Sequence, residues 1–287
     1  MSQGANRIRP GQGEAATVTW SNILVPVMGG ETDAPALATA KALAEPFNAT
    51  ITMVFASISP YSTFNWANEA GIGPTDVAIA AIEHSADVGQ GRCRDLLAAL
   101  DYPKKAFEAV YADDWTGLRT ASRLADVVVW DRSVGRGHGF FAPAFQQILL
   151  DERRPALLAD APLKTGGVVA VAWDGGREAS RAVRRSVPLL RKAQEVVLFT
   201  APHTMATPCD GARALSYLAD LGVHARAEAI HGRAEAARLV LDAVHRVGAR
   251  LLVAGAFGHP RLQRFIFGGT TQILLESRSP SALFLSH

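Results

Sequence analysis

Between residues 255 and 270 the chain reads GAFGHPRLQRFIFGGT, with Gly255 and Gly258 separated by nine residues from Gly268 and Gly269. Glycine inside a helix or strand costs about 0.5–1 kcal/mol relative to alanine, so such a cluster marks backbone that must approach something closely. Gly255 and Gly258 close the apolar run RLLVAGA (250–256). Bare backbone there can turn successive N–H groups outward as an anion-holding nest. Gly268, Gly269 and Thr270 precede TQILLES, whose pattern predicts a helix. A helix N-terminus offers unpaired donors and a positive pole of about half a charge. Both clusters suit one phosphate chain; loop and cap glycines without a ligand are the alternative.

Asp174, in AWDGG, ends another apolar run. Its carboxylate suits ribose hydroxyls or a base amine, or simply closes a turn. His231 and His259 stand near the same features, and Arg261 and Arg264 lie within the glycine stretch. Each is a candidate phosphate contact or a solvated side chain. No HExxH, paired Cys/His spacing or calcium loop is present. The GxSxG elbow and the GxxxxGK[ST] loop are missing too. Without a base, a poised lysine or an acidic magnesium pair, efficient ATP turnover has no support.

The elements that would carry these residues alternate. Short runs rich in β-branched residues, NILVPV (22–27), TITMVFA (50–56), AFEAVYA (106–112), DVVVW (126–130) and PALLA (155–159), form one set. A second set is GVVAVAW (167–173), EVVLFTA (195–201), VHARAEAI (223–230), RLLVAGA (250–256) and SALFLSH (281–287). Several are apolar throughout, as strands covered on both faces are. Amphipathic stretches such as 177–194 and 234–248 lie between them. Alternating strands and helices predict parallel, doubly wound α/β sheets of Rossmann-like type. Pro188, inside the 177–194 pattern, predicts a kinked or shortened helix.

The two sets repeat each other. QILLDERRPALL (147–158) matches QILLESRSPSALF (272–284), and VPVMGG (25–30) matches VAWDGG (171–176). The chain therefore divides into a tail (1–20), a first five-stranded domain (21–160) and a second (167–287). Composition agrees with a globular protein: 287 residues, 48% hydrophobic, net charge +2. A charge so near balance, with no basic run, argues against nucleic acid. No apolar run is long enough to span a membrane, and residues 1–20 lack a signal-peptide core. Cys93 and Cys209 are far apart and fit a reduced, cytoplasmic setting.

With Asp174 after the first strand of the second copy and Gly255-Ala256-Phe257-Gly258, nine residues, then Gly268-Gly269-Thr270, the chain resembles the universal stress proteins (UspA-like) from residue 22 onward. The resemblance implies an adenine nucleotide, ATP first, with or without magnesium. It assigns Asp174 to the nucleoside end, Gly255 to the ribose, and Gly258, Gly268, Gly269 and Thr270 to the phosphates. The end of the second strand, Thr200 or Ala201, would read adenine. ATP-binding members carry Ser or Thr where this chain has Gly269, so a backbone N–H stands in for a hydroxyl. The resemblance also implies a regulatory stress-response role without catalysis, and pairing of the copies through PALLA and SALFLSH as an internal pseudo-dimer. A nucleotide-free scaffold and a very slow ATPase or self-phosphorylating protein are the competing readings. Neither a homo-oligomer nor a protein partner is specified.

The first copy has lost the pattern. Met28 replaces Asp174, Asp131 replaces Gly255, Val134 replaces Gly258, and Pro143-Ala144 replace Gly268-Gly269. Proline removes a donor, and an aspartate repels phosphate. The stretch DRSVGRGHGFF (131–141), with Gly135, Gly137 and Gly139 beside Arg132, Arg136 and His138, is expected to be a flexible solvated loop. A relocated anion site is the alternative.

Overall fold

The computed structural model describes residues 19–59, 76–111, 115–163, 165–201, 211–232, 234–258, 269–277 and 281–287. The first half runs β1 (Asn22–Val27), α1 (Asp33–Ala44), a 3-10 turn (Glu45–Phe47), β2 (Thr50–Ser57), α2 (Asp76–Ala99), β3 (Lys105–Tyr111) and α3 (Thr116–Ser122). It ends with β4 (Val127–Asp131), a second 3-10 turn (Arg132–Arg136), α4 (Ala142–Leu150) and β5 (Ala156–Ala159). The second half repeats the alternation: β6 (Val168–Ala172), α5 (Arg177–Leu190), β7 (Glu195–Thr200), α6 (Ala212–Asp220) and β8 (Ala225–Ala229). Then come α7 (Ala236–Arg246), β9 (Leu251–Gly255), α8 (Gly269–Glu276) and β10 (Ala282–Ser286).

These strands make one sheet in the order β3-β2-β1-β4-β5-β10-β9-β6-β7-β8. Pairing is parallel within each half. At the seam β10 meets β5 antiparallel, with Leu283 opposite Leu158 and Leu285 opposite Ala156. Each half thus has the doubly wound order, and its crevice opens where the winding reverses, beyond β1 and β4 or beyond β6 and β9. The apolar strands explain why helices cover both faces. In β1, Leu24 packs with Val54 and Phe145 on one side, while Val25 packs with Leu43 and Met53 on the other. Pro188 does shorten its helix: α5 ends at Leu190, four residues before the end of the periodic pattern.

Two sequence expectations are corrected. Trp20, expected in the tail, is buried. It stacks on Phe284 at 6.1 Å, meets Phe47 edge-on at 5.5 Å, and donates its indole N–H to the Arg185 carbonyl at 3.3 Å. An indole that fills a gap between apolar faces and also finds an acceptor is better buried than solvated. The remaining tail, 1–18, lies outside the described residues. The 131–141 stretch is solvated at Gly137–Gly139 but not at its start. Residues 132–136 form the second 3-10 turn, with Arg132, Val134 and Gly135 buried, and the Asp131 carboxylate caps it by accepting the Ser133 N–H at 2.8 Å. Arg132 is committed to carbonyl and hydroxyl oxygens, so it is not the core of a relocated anion site.

In the first half the turn after β1 is capped by its own side chain. Buried Asp33 points one carboxylate oxygen at the N–H groups of Met28 (3.2 Å), Gly29 (2.7 Å) and Gly30 (3.0 Å). Gly29 and Gly89 touch so closely that a Cβ on Gly29 would lie 2.6 Å from Gly89 Cα, which seats α2 against the turn. Burial raises the Asp33 carboxyl above its ordinary value despite these donors, and lifts the adjacent Cys93 thiol to about 12. A raised carboxyl contributes stability that is full below its unfolded value and lost as pH rises through its folded one. Asp33→Ala is expected to lose about 2 kcal/mol in urea denaturation, because three partly buried hydrogen bonds lose their acceptor. A loss under half that would mean the turn satisfies its donors elsewhere.

Candidate functional site

The second crevice lies beyond β6 and β9, whose register pairs Val171 with Val253. Asp174 follows β6 by two residues and Gly255 ends β9, so both stand on the same rim. Asp174 is exposed and accepts the Gly176 N–H through Oδ1 at 2.8 Å. It is therefore a turn former, and its other carboxylate oxygen is the one that can face a ligand.

Gly255 has a structural reason to be glycine. A Cβ there would lie 2.5 Å from the Ala179 nitrogen and 2.7 Å from the Glu178 carbonyl carbon, in the first turn of α5. What its backbone approaches is another backbone. Gly258 is different: it is exposed, and among the described residues a Cβ would meet the Glu178 carboxylate, at 3.0 Å. Gly269 and Thr270 begin α8 and are exposed, with the Glu235 carboxylate 4.0 Å from where a Gly269 Cβ would be. Gly268, His259, Arg261 and Arg264 lie outside the described residues.

Three residues that sequence reasoning missed tie this rim together. Thr271, buried beside Thr270, accepts the Phe257 N–H through its hydroxyl at 3.2 Å, joining the loop after β9 to the start of α8. The join needs Phe257 in the left-handed region, φ 57°, a conformation costing of order 1–3 kcal/mol for a bulky residue. His287 holds the same loop from behind. Its Nδ1 lies 2.9 Å from the Ala256 carbonyl, while the Ala256 N–H donates to Ser286 at 3.0 Å. Glu178 is the third: its side chain, only 12% exposed, faces Gly258 and lies 4.0 Å and 3.9 Å from the guanidinium groups of Arg177 and Arg181. A Thr-Thr pair at a helix start was a legible sign for Thr271; Glu178 and His287 show in no local pattern.

Thr200 and Ala201, placed at the adenine end, are both buried at the end of β7. The Thr200 carbonyl already accepts the Ile230 N–H at 2.7 Å, so a base amine would use its second lone pair. His231 lies two residues beyond β8 and is exposed. Among the described residues no group of three or more His, Cys, Asp or Glu side chains could hold a metal. No helix among them is long and apolar enough to cross a membrane.

The arrangement can present backbone N–H donors and a carboxylate to one ligand across the second crevice, while in the first half Asp33 takes the turn's N–H groups. No protein-family model matches the chain, and no curated protein matches it. Solved structures do. A universal stress protein from Archaeoglobus fulgidus DSM 4304 superposes with a TM-score of 0.59 at 15% identity, covering 93% of this chain and 96% of that one. A functionally unknown protein from Pseudomonas aeruginosa PAO1 gives 0.56 at 13% identity, covering 93% and 92%. The chain has the fold of the universal stress proteins.

Proposed function

We propose that this protein is a tandem universal-stress-type protein that binds one adenine nucleotide, ATP first, in its second half, as a regulatory rather than catalytic module of the cytoplasm. The observation that carries the reading is the crevice beyond β6 and β9. Asp174, the exposed Gly258 and the start of α8 share its rim, and the Phe257–Thr271 hydrogen bond draws the last two together. In this reading Gly258, Gly268, Gly269 and Thr270 hold phosphates through backbone N–H groups and the helix pole. Asp174 takes ribose hydroxyls and Thr200 or Ala201 the base. Gly255 contributes close packing and lets the ribose near the strand end.

Calorimetric titration with ATP tests the reading, against Asp174→Ala and Gly258→Val. Among the described residues Gly258→Val displaces the end of the Glu178 side chain, so it narrows the cleft without pressing on their backbone. In urea denaturation beside the titration, ATP at 100 times its dissociation constant should stabilise wild-type protein by about 2.7 kcal/mol, and both variants should gain little. Equal gains in all three would refute the site.

Glu178 favours a second reading, a nucleotide-free interaction scaffold, because it places a carboxylate beside the glycines meant for phosphate. The two readings part on one substitution. If phosphate binds there, Glu178→Gln should tighten ATP about 5-fold, since removing a like charge near 4 Å is worth about 1 kcal/mol even in water. Magnesium in the titration should shrink that gain by neutralising the phosphates. A scaffold shows no heat with either protein. Phosphate release from ATP should not exceed that of Gly258→Val.

A further inference from the structure

We propose that the first half's 132–136 turn acts as a positioning device for the second half's crevice, with Arg132 setting nucleotide affinity by fixing α8 from behind. The inference rests on the nucleotide reading above. Arg132 belongs to the element that in the second copy became the glycine-bearing loop, yet its guanidinium leaves its own half. One terminal nitrogen donates to the Ser281 carbonyl at 2.7 Å. The other donates to the Leu274 carbonyl at 3.2 Å and the Ser277 hydroxyl at 2.9 Å. Those acceptors are the last turn of α8 and the entry to β10. Three residues on, a Cβ at Gly135 would come within 2.5 Å of Leu275 and 2.8 Å of Leu158. The turn is pressed against α8 and the seam together.

A helix as short as α8 has little stability of its own, so tertiary contacts decide where its N-terminus points. Its front is fastened by Thr271 to Phe257. Its rear is fastened by Arg132, a cation against the negative pole of the helix. Burial lowers the Arg132 pKa, so this cation is held at a cost that its hydrogen bonds must offset. A tethered rear holds the donors of Gly269 and Thr270 in one place before a ligand arrives, which reduces the ordering cost of binding.

The test uses the full chain, with Arg132→Met keeping side-chain length and Arg132→Lys keeping charge. Amide hydrogen exchange of the 269–277 segment without ligand should speed up at least about 10-fold in Arg132→Met, while α7 keeps its rates. ATP affinity should fall about 10-fold, and Arg132→Lys should recover part of both effects. Unchanged exchange in α8, or equal acceleration in α7, overturns the proposal. Equal ATP affinity in wild type and Arg132→Met overturns it while leaving the nucleotide reading intact. If wild type binds no ATP, that reading fails, and with it the affinity claim; the exchange data then decide the tether alone. Should Arg132→Met not fold, Ser277→Ala removes one acceptor. It should raise α8 exchange about 3-fold, and no rise counts against the proposal.

Discussion

Gly255→Ala is expected to destabilise the protein by at least about 3 kcal/mol, the range of severe overpacking in a fixed core. The new methyl would sit 2.5 Å from the Ala179 nitrogen and 2.7 Å from the Glu178 carbonyl carbon. Neither is a side chain that can rotate away. β9 cannot retreat, because it is bonded on one edge to β6 and on the other to β10. Nor can the start of α5 lift easily, since Ala179, Ala182 and Val183 behind it are buried. Urea denaturation of Gly255→Ala beside Gly258→Ala checks the argument. Among the described residues the second variant meets the end of a glutamate side chain, and it should lose less than about 1 kcal/mol. If the two cost the same, close packing is not why residue 255 is glycine.

Trp20→Ala should cost about 3–5 kcal/mol, as large-to-small truncations of buried aromatic residues do. The indole rests on Phe47 from the first half and on Phe284 from the second, and donates to Arg185 in α5. Its removal opens a void between the two halves. Trp20→Phe keeps the ring contacts and loses only the N–H, so it should recover most of the difference. Urea curves for the three proteins decide the matter; a loss below about 1 kcal/mol for alanine would show that the gap closes by itself.

Much of the fold could be read from sequence because buried parallel strands leave continuous apolar runs. NILVPV, DVVVW, EVVLFTA and SALFLSH all contain strands of the sheet. The repeat of QILL and VP/VA motifs carried the two-copy organisation; the family resemblance pointed to PALLA and SALFLSH as the seam, and β5 pairs with β10 there. What sequence could not carry were contacts between distant segments. Trp20 looks like the end of a polar tail until Phe284, at the far end of the chain, packs on it. The 131–141 stretch looks solvated because three glycines and two arginines read as loop chemistry. One of those glycines is small for Leu275, and one arginine is consumed by carbonyls of the other half. The candidate site divides in the same way. Asp174 and the glycines stood out by spacing, whereas the Glu178 carboxylate against Gly258 and His287 behind Ala256 arise only when the sheet brings separate loops to one rim.

The antiparallel join of β5 to β10 matters for how such a molecule can change over generations. In an assembly of two identical chains every substitution appears in both clefts, so a carboxylate that plugs one plugs its mate as well. Here the mates are encoded separately. Asp33 could take up the N–H groups of one cleft's turn, and Arg132 could turn outward to brace its neighbour, with no penalty at the corresponding places, Ala179 and Ala256. The difference between the two clefts then follows from the gene rather than from any cooperative interaction between sites.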